Sequence, residues 1–191
     1  MATVVPGNPD NLISVLIRDH RAVERIFAEL IAGDGTPRYR RALADHLTTE
    51  LVRHSVADEM YTYPAARKAL PDGEQVADRE IEEHADVERV LKELEGIDAT
   101  DRTFDDLIGD LYSAVQQHVD DSEHDLLPRL QQACAQGELL ELGRTVTRVK
   151  ASAPTRPHPS APNKPRPELV LASGTGMIDE LRDALTTHNP G

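Results

Sequence analysis

The sequence predicts an all-α fold: an antiparallel, up-down four-helix bundle made of two repeated helical hairpins, followed by a C-terminal helical tail. Three observations carry that expectation. Apolar residues recur at steps of three and four, the period of one helical face. Helix-starting and helix-stopping residues bracket each such run. The chain also repeats itself: placed on itself so that His20 lands on His84, it sets His54 on His118, Glu59 on Glu123 and Pro64 on Pro128. Val23-Glu24-Arg25 then meets Val87-Glu88-Arg89, and Glu29-Leu30 meets Glu93-Leu94. Two copies of one hairpin pack naturally as a bundle with a pseudo-twofold axis.

Each element follows in order. The first helix starts after Asn8-Pro9-Asp10 and runs to about Ile31, where Gly33 and Gly35 stop it. Thr36-Pro37 is an N-cap followed by proline at the first helical position, and the second helix runs on towards Leu70 with Pro64 inside it, expected to kink it or end its regular part. Pro71-Asp72-Gly73 is a turn. The third helix spans Glu74 to Glu95 and stops at Gly96; Thr103 caps the fourth, which continues to about Ala135 with Pro128 inside. A shorter helix, Glu138 to Lys150, completes a bundle domain over residues 10–150. A Pro-rich, polyproline-like connector occupies 151–172, and an amphipathic helix with Ile178, Leu181 and Leu185 on one face occupies 173–191. That last helix could dock in cis or join two copies as a homodimer.

Composition narrows the function classes. The formal net charge of -13 repels phosphate backbones, so nucleic acid is not expected as a partner. The apolar stretch Leu12 to Ile17 is too short for a signal or a membrane span. A single cysteine, Cys134, permits no intramolecular disulfide and fits a reducing compartment, so a cytoplasmic protein is expected. Aromatic residues make up only 3%, so the core must be built from Leu, Ile, Val and Ala.

The histidines carry the chemistry. The apolar stripe of the first helix reads Leu16, His20, Val23, Phe27, Leu30; that of the second reads Leu43, Leu47, Leu51, His54, Asp58, Tyr61. The third gives Ala77, Ile81, His84, Val87, Leu91, Leu94, and the fourth Leu107, Leu111, Val115, His118. Each helix thus sends one imidazole towards the core. A lone core histidine is more often hydrogen-bonded than metal-bound. A symmetric set with acids beside it costs several kcal/mol to bury unless it is paired or bound to metal. His46 and His124 fall off these faces and are expected at the surface, and Tyr61 reads as a core aromatic.

At these residues the sequence resembles the hemerythrin-like HHE cation-binding family. Its pattern is a His on one helix and His-x3-Glu on the next, the unit repeated. Here the units are Asp19-His20 with His54-Ser55-Val56-Ala57-Asp58-Glu59, and Glu83-His84 with His118-Val119-Asp120-Asp121-Ser122-Glu123. Where the family carries Glu, this chain has Asp58 and Ser122, each followed by Glu, and where hemerythrins carry a fifth His it has Glu80. The resemblance implies metal ligands His20, His54, His84 and His118, with Asp58 and Glu123 bridging and Glu59 as an alternative to Asp58. It implies two irons per chain, manganese or zinc being the other candidates, and reaction with or binding of dioxygen, peroxide or nitric oxide. An iron store or sensor without turnover, and a structural bundle that has lost its metal, are the other readings. The residues leave open whether the protein is an enzyme.

Overall fold

Helix α1 (Leu12–Ala32) begins where the Asn11 side chain accepts the amide of Ile13, 3.0 Å away, and ends at Gly33, whose φ of 73° only glycine adopts without strain. The computed structural model describes residues 8–153. After a tight turn, Thr36 caps α2 (Pro37–Ala57) by accepting the Tyr39 amide at 3.2 Å. So short a connection forces α2 back along α1, and the two helices pack together. The same hairpin recurs as α4 (Gly73–Leu94) and α5 (Arg102–Asp121), which also pack together. Contacts of α1 with α5 and of α2 with α4 close the four-helix bundle. The residue capping α5 is Asp101 rather than Thr103: its Oδ1 accepts the Thr103 amide at 2.9 Å and the Thr103 hydroxyl at 2.7 Å.

The prolines act differently from a simple kink. α2 passes into a π-helical turn, Asp58–Thr62, and then α3 (Tyr63–Ala69); α5 passes into a second π-turn, Ser122–Leu126, and then α6 (Leu127–Ala133). The Tyr63 amide reaches back to the Asp58 carbonyl, and the Leu127 amide to the Ser122 carbonyl, one residue further than in an α-helix. Proline has no amide to donate, so the turn before it can take in an extra residue without losing an α-helical bond at that position. The π-turns occupy equivalent places in the two hairpins, as the sequence repeat requires.

A fifth long helix, α7 (Gln136–Ser152), lies against α1 and α2. The expected connector and C-terminal helix lie outside the described residues.

The core divides into two apolar clusters. One holds Val23, Phe27, Leu30, Leu47, Leu51, Val87, Leu91, Phe104 and Leu111. The other holds Leu12, Leu16, Tyr63, Ala77, Ile81, Leu126, Leu130, Leu139 and Val146. Burying a side chain such as Phe27 or Phe104 contributes about 1.5–3 kcal/mol. Between the clusters sits a polar layer. Along α1 it is His20, placed between Leu16 of one cluster and Val23 of the other.

Candidate metal centre

His20, His54, His84 and His118 each lie 3–5% exposed at this level, one from each long bundle helix. Their rings form two close pairs. His20 and His54 of the first hairpin have centroids 5.0 Å apart, and His84 and His118 of the second 4.7 Å apart. Two imidazoles bound to one ion through nitrogens at about 2.1 Å sit at about this separation.

The two nitrogens of each ring face different surroundings. Every Nδ1 faces a carboxylate: His20 faces Glu123 at 2.8 Å, His54 faces Asp19 at 3.8 Å, and His84 faces Glu59 at 3.6 Å. His118 Nδ1 faces Glu80 at 3.2 Å and Glu83 at 3.6 Å. The Nε2 atoms of His54 and His118 approach within 3.4 Å of each other, and Asp58 Oδ2 lies 3.2 Å from His54 Nε2. His20 Nε2 is buried with no hydrogen-bond partner. Nitrogens facing one another without a hydrogen-bonding partner for each lone pair are costly in a protein interior. A carboxylate behind Nδ1 favours the tautomer that leaves Nε2 free to bind a cation; His20 closes that hydrogen bond to Glu123, while Nδ1 of His54 and of His118 has no hydrogen-bond partner. Donor atoms of His54, Asp58, His84 and His118 all lie within 4.8 Å of one another, which fits a metal ion.

The charges agree with this reading. Burial lowers the pKa of His20, His54 and His84, keeping these rings neutral and able to ligate. Burial pushes the Asp58 carboxyl up to about 7, the Thr62 hydroxyl at 2.8 Å and the charge of His118 only partly opposing it. His118 is the exception: burial favours its neutral form, but Glu80 and Glu83 outweigh burial and raise it to about 9. Acids around the centre outnumber the cations Arg21, Arg79 and Lys150 that pair with them. Even with His118 charged, the acids Asp19, Asp58, Glu59, Glu80, Glu83 and Glu123 outnumber the cations, so the layer is net negative and attracts a cation.

Three of the positions at which the two copies differ bear on the centre. Asp58, 2% exposed, has Ser122 as its counterpart, also 2% exposed. Tyr63, fully buried, corresponds to Leu127. Glu80, fully buried, corresponds to Leu16.

Of the residues singled out from sequence, the structure brings the four histidines and Asp58 together. It sets Glu59, 38% exposed, and Glu123, 13% exposed and also held by Arg21 at 2.5 Å, on the Nδ1 side of His84 and His20. His46 and His124 are exposed, as expected.

Helical stepping placed Tyr61 in the core stripe, but the extra residue of the π-turn leaves it half-buried and turns Tyr63 inward. The Tyr63 hydroxyl lies 3.0 Å from His84 Nε2, and burial raises its pKa well above the usual phenol range. Sequence reasoning missed Tyr63 as a site residue; the signal available was its place directly before Pro64. It also missed that Glu80 buries its whole side chain against His118. The available signal was an acid standing where the repeat has Leu16.

Beside the histidines a chamber of about 20 Å³ is walled by Val23, Leu51, Val87, Val115 and Val119. That is about the space one water-sized molecule needs.

Comparison with known proteins agrees with the geometry. The sequence profile of the hemerythrin HHE cation-binding domain matches residues 11–130. An uncharacterized hemerythrin-like protein of Schizosaccharomyces pombe is 30% identical over 171 residues, covering 89% of this chain and 84% of that protein. The crystal structure of a hemerythrin HHE cation-binding domain-containing protein of Mycobacterium kansasii superposes with a TM-score of 0.64 at 22% identity. It covers 74% of this chain and 88% of that one, a likeness of fold.

Proposed function

We propose that this chain, which belongs to the hemerythrin HHE cation-binding domain family, holds two iron ions in its polar layer and uses them to bind or react with dioxygen, peroxide or nitric oxide. One observation carries the reading: every core imidazole has a carboxylate behind Nδ1, while Asp58 and the Nε2 atoms of His54 and His118 converge. In this assignment Nε2 of His20 and His54 serves one ion and Nε2 of His84 and His118 the other. Asp58 is the inward carboxylate. Glu59 and Glu123, drawn from the family resemblance as bridging ligands, orient His84 and His20 from outside.

Imidazole with carboxylate suits iron, and manganese or zinc less well. When bound, the iron supplies redox chemistry. The chain's own residues set the terms of access. The chamber beside the rings has room for a molecule of a few atoms, and valine and leucine side chains line it together with Asp19, Ser55 and the histidines. The Tyr63 hydroxyl lies 3.0 Å from His84 Nε2 and is placed to donate to a small ligand beside it. Among the described residues no helix is long and apolar enough to cross a membrane, and the single cysteine supports a cytoplasmic setting.

Anaerobic purification from iron-replete cells, with metal analysis and absorption spectra before and after air, tests the reading. About two irons per chain with a new near-ultraviolet band on oxidation is the expected result. Iron without any reaction to air, peroxide or nitric oxide supports a store or sensor. No iron, and none taken up on reconstitution, leaves a structural bundle.

A further inference from the structure

The matched domain ends at residue 130, yet α7 lies beyond it and packs on the bundle. Its seat is firm. Leu139 and Val146 are fully buried in the core cluster around Leu12 and Leu16. Gly143 lies so close to the start of α1 that a Cβ there would run into the Asp10 carbonyl oxygen. This seat presents the last turn of α7 to α1, where Lys150 Nζ lies 2.6 Å from Asp19 Oδ2. Both side chains are largely buried, at 12% and 17% exposure, so the pair is shielded from screening by salt. Asp19 is the carboxylate that faces His54 Nδ1.

The other outer carboxylates are held from within the bundle or stand exposed. Glu83 has Arg79 on its own helix at 3.9 Å, Glu123 has Arg21, and Glu59 is substantially exposed. Asp19 alone among these draws its cation from α7. The 2.6 Å contact is also much shorter than the 3.8 Å from Asp19 to His54, so Lys150 is the stronger hold on this carboxylate.

We infer that Lys150 is a positioning residue of the metal centre: by anchoring Asp19 beside His54 Nδ1, it sets the orientation in which His54 presents Nε2, and α7 becomes a working part of the site. This rests on the reading of His54 as a ligand. The effect runs against simple electrostatics. Removing a positive charge near a cation site would by itself tighten metal binding. Loss of the anchor frees Asp19 to swing towards solvent and loosens it.

Cobalt(II) titration of the full-length protein, followed by visible absorption, separates these outcomes. The anchoring role predicts that Lys150→Met weakens cobalt binding about tenfold, the lower end of what such outer partners are worth. It also predicts an altered cobalt spectrum and restoration of both affinity and spectrum by Lys150→Arg. Adding Lys150→Met to Asp19→Asn should cost nothing further, since both act through one carboxylate. Unchanged or tighter binding in Lys150→Met, or additive losses in the double variant, overturns the inference. His54→Ala is the control for the reading beneath it. If His54→Ala weakens cobalt uptake and Lys150→Met does not, the inference alone falls. If His54→Ala leaves uptake intact, the ligand assignment falls and takes the inference with it.

Discussion

Replacing Glu80 by leucine separates a carboxylate kept for metal binding from one kept for stability. Glu80 is fully buried, its Oε2 lies 3.2 Å from His118 Nδ1, and its partner in the repeat, Leu16, fills an equivalent place with an apolar side chain. Removing one partner of a buried ion pair is costly while the other keeps its charge, but above about pH 9 His118 is neutral and no pair is broken. Above that pH Glu80→Leu should leave the metal-free protein within about 1 kcal/mol of wild type or raise its stability, and at pH 6 it should cost up to about 3 kcal/mol, part of what the raised His118 contributes. Metal affinity should behave otherwise. Losing the outer partner of a ligating histidine costs about 10–100-fold, or about 1.4–2.8 kcal/mol. Glu83, at 3.6 Å from the same nitrogen, provides partial replacement and favours the lower end. The assay is urea unfolding of metal-free and cobalt-loaded protein, with affinity read by titration. Loading should stabilise the variant less than wild type by the same 1.4–2.8 kcal/mol at equal free metal. Glu80→Gln, which can still accept from Nδ1, should recover much of the affinity. If Glu80→Leu destabilises the metal-free protein by several kcal/mol even above pH 9 and leaves affinity untouched, Glu80 is a stability element and the argument for the centre is wrong.

The remaining predictions concern pH, Tyr63 and Ser122. His118 is raised in the folded protein from 6.5 to about 9, so its contribution is complete below pH 6.5 and is lost as pH rises through 9. Metal-free protein should lose at most about 3 kcal/mol across that window by urea unfolding; a flat profile contradicts the Glu80–Glu83 environment of this ring. Because the same proton must leave before His118 can ligate, cobalt affinity should rise over those pH values, measured by titration at fixed ionic strength. Tyr63→Phe removes the hydroxyl that competes for His84 Nε2, so cobalt binding should tighten about fivefold, the worth of a hydrogen bond near 1 kcal/mol. Weaker binding would instead show that Tyr63 itself ligates. Ser122→Asp places a second carboxylate opposite Asp58, and calorimetry should find the metal-free protein destabilised by a few kcal/mol and the loaded protein largely restored. Equal destabilisation in both forms would mean that Ser122 does not face the metal.

Much of this molecule was legible in its residues. Periodicity is a property of the chain itself: an α-helix returns to the same face every three or four residues. Leu16, His20, Val23, Phe27 and Leu30 therefore declared one buried stripe, and the structure buries them all. Thr36 and Gly33 act on their own neighbours and marked helix ends for the same reason. The repeat linked four histidines that single helices could not have distinguished from ordinary core residues. Other features depend on choices between elements. The π-turn is a backbone hydrogen bond reaching one residue further, and helical stepping cannot anticipate it, so the inward aromatic is Tyr63 and not Tyr61. The side of a ring on which Glu59, Glu123 and Glu80 stand is set by how neighbouring helices rotate and approach. Lys150 reaches Asp19 only because Gly143 lets α7 lie against the start of α1. The sequence by itself determined which residues share a helix face, because that is local geometry. The tertiary structure alone decided which nitrogen of each histidine meets a carboxylate and which turns inward, because that depends on packing between helices far apart in the chain.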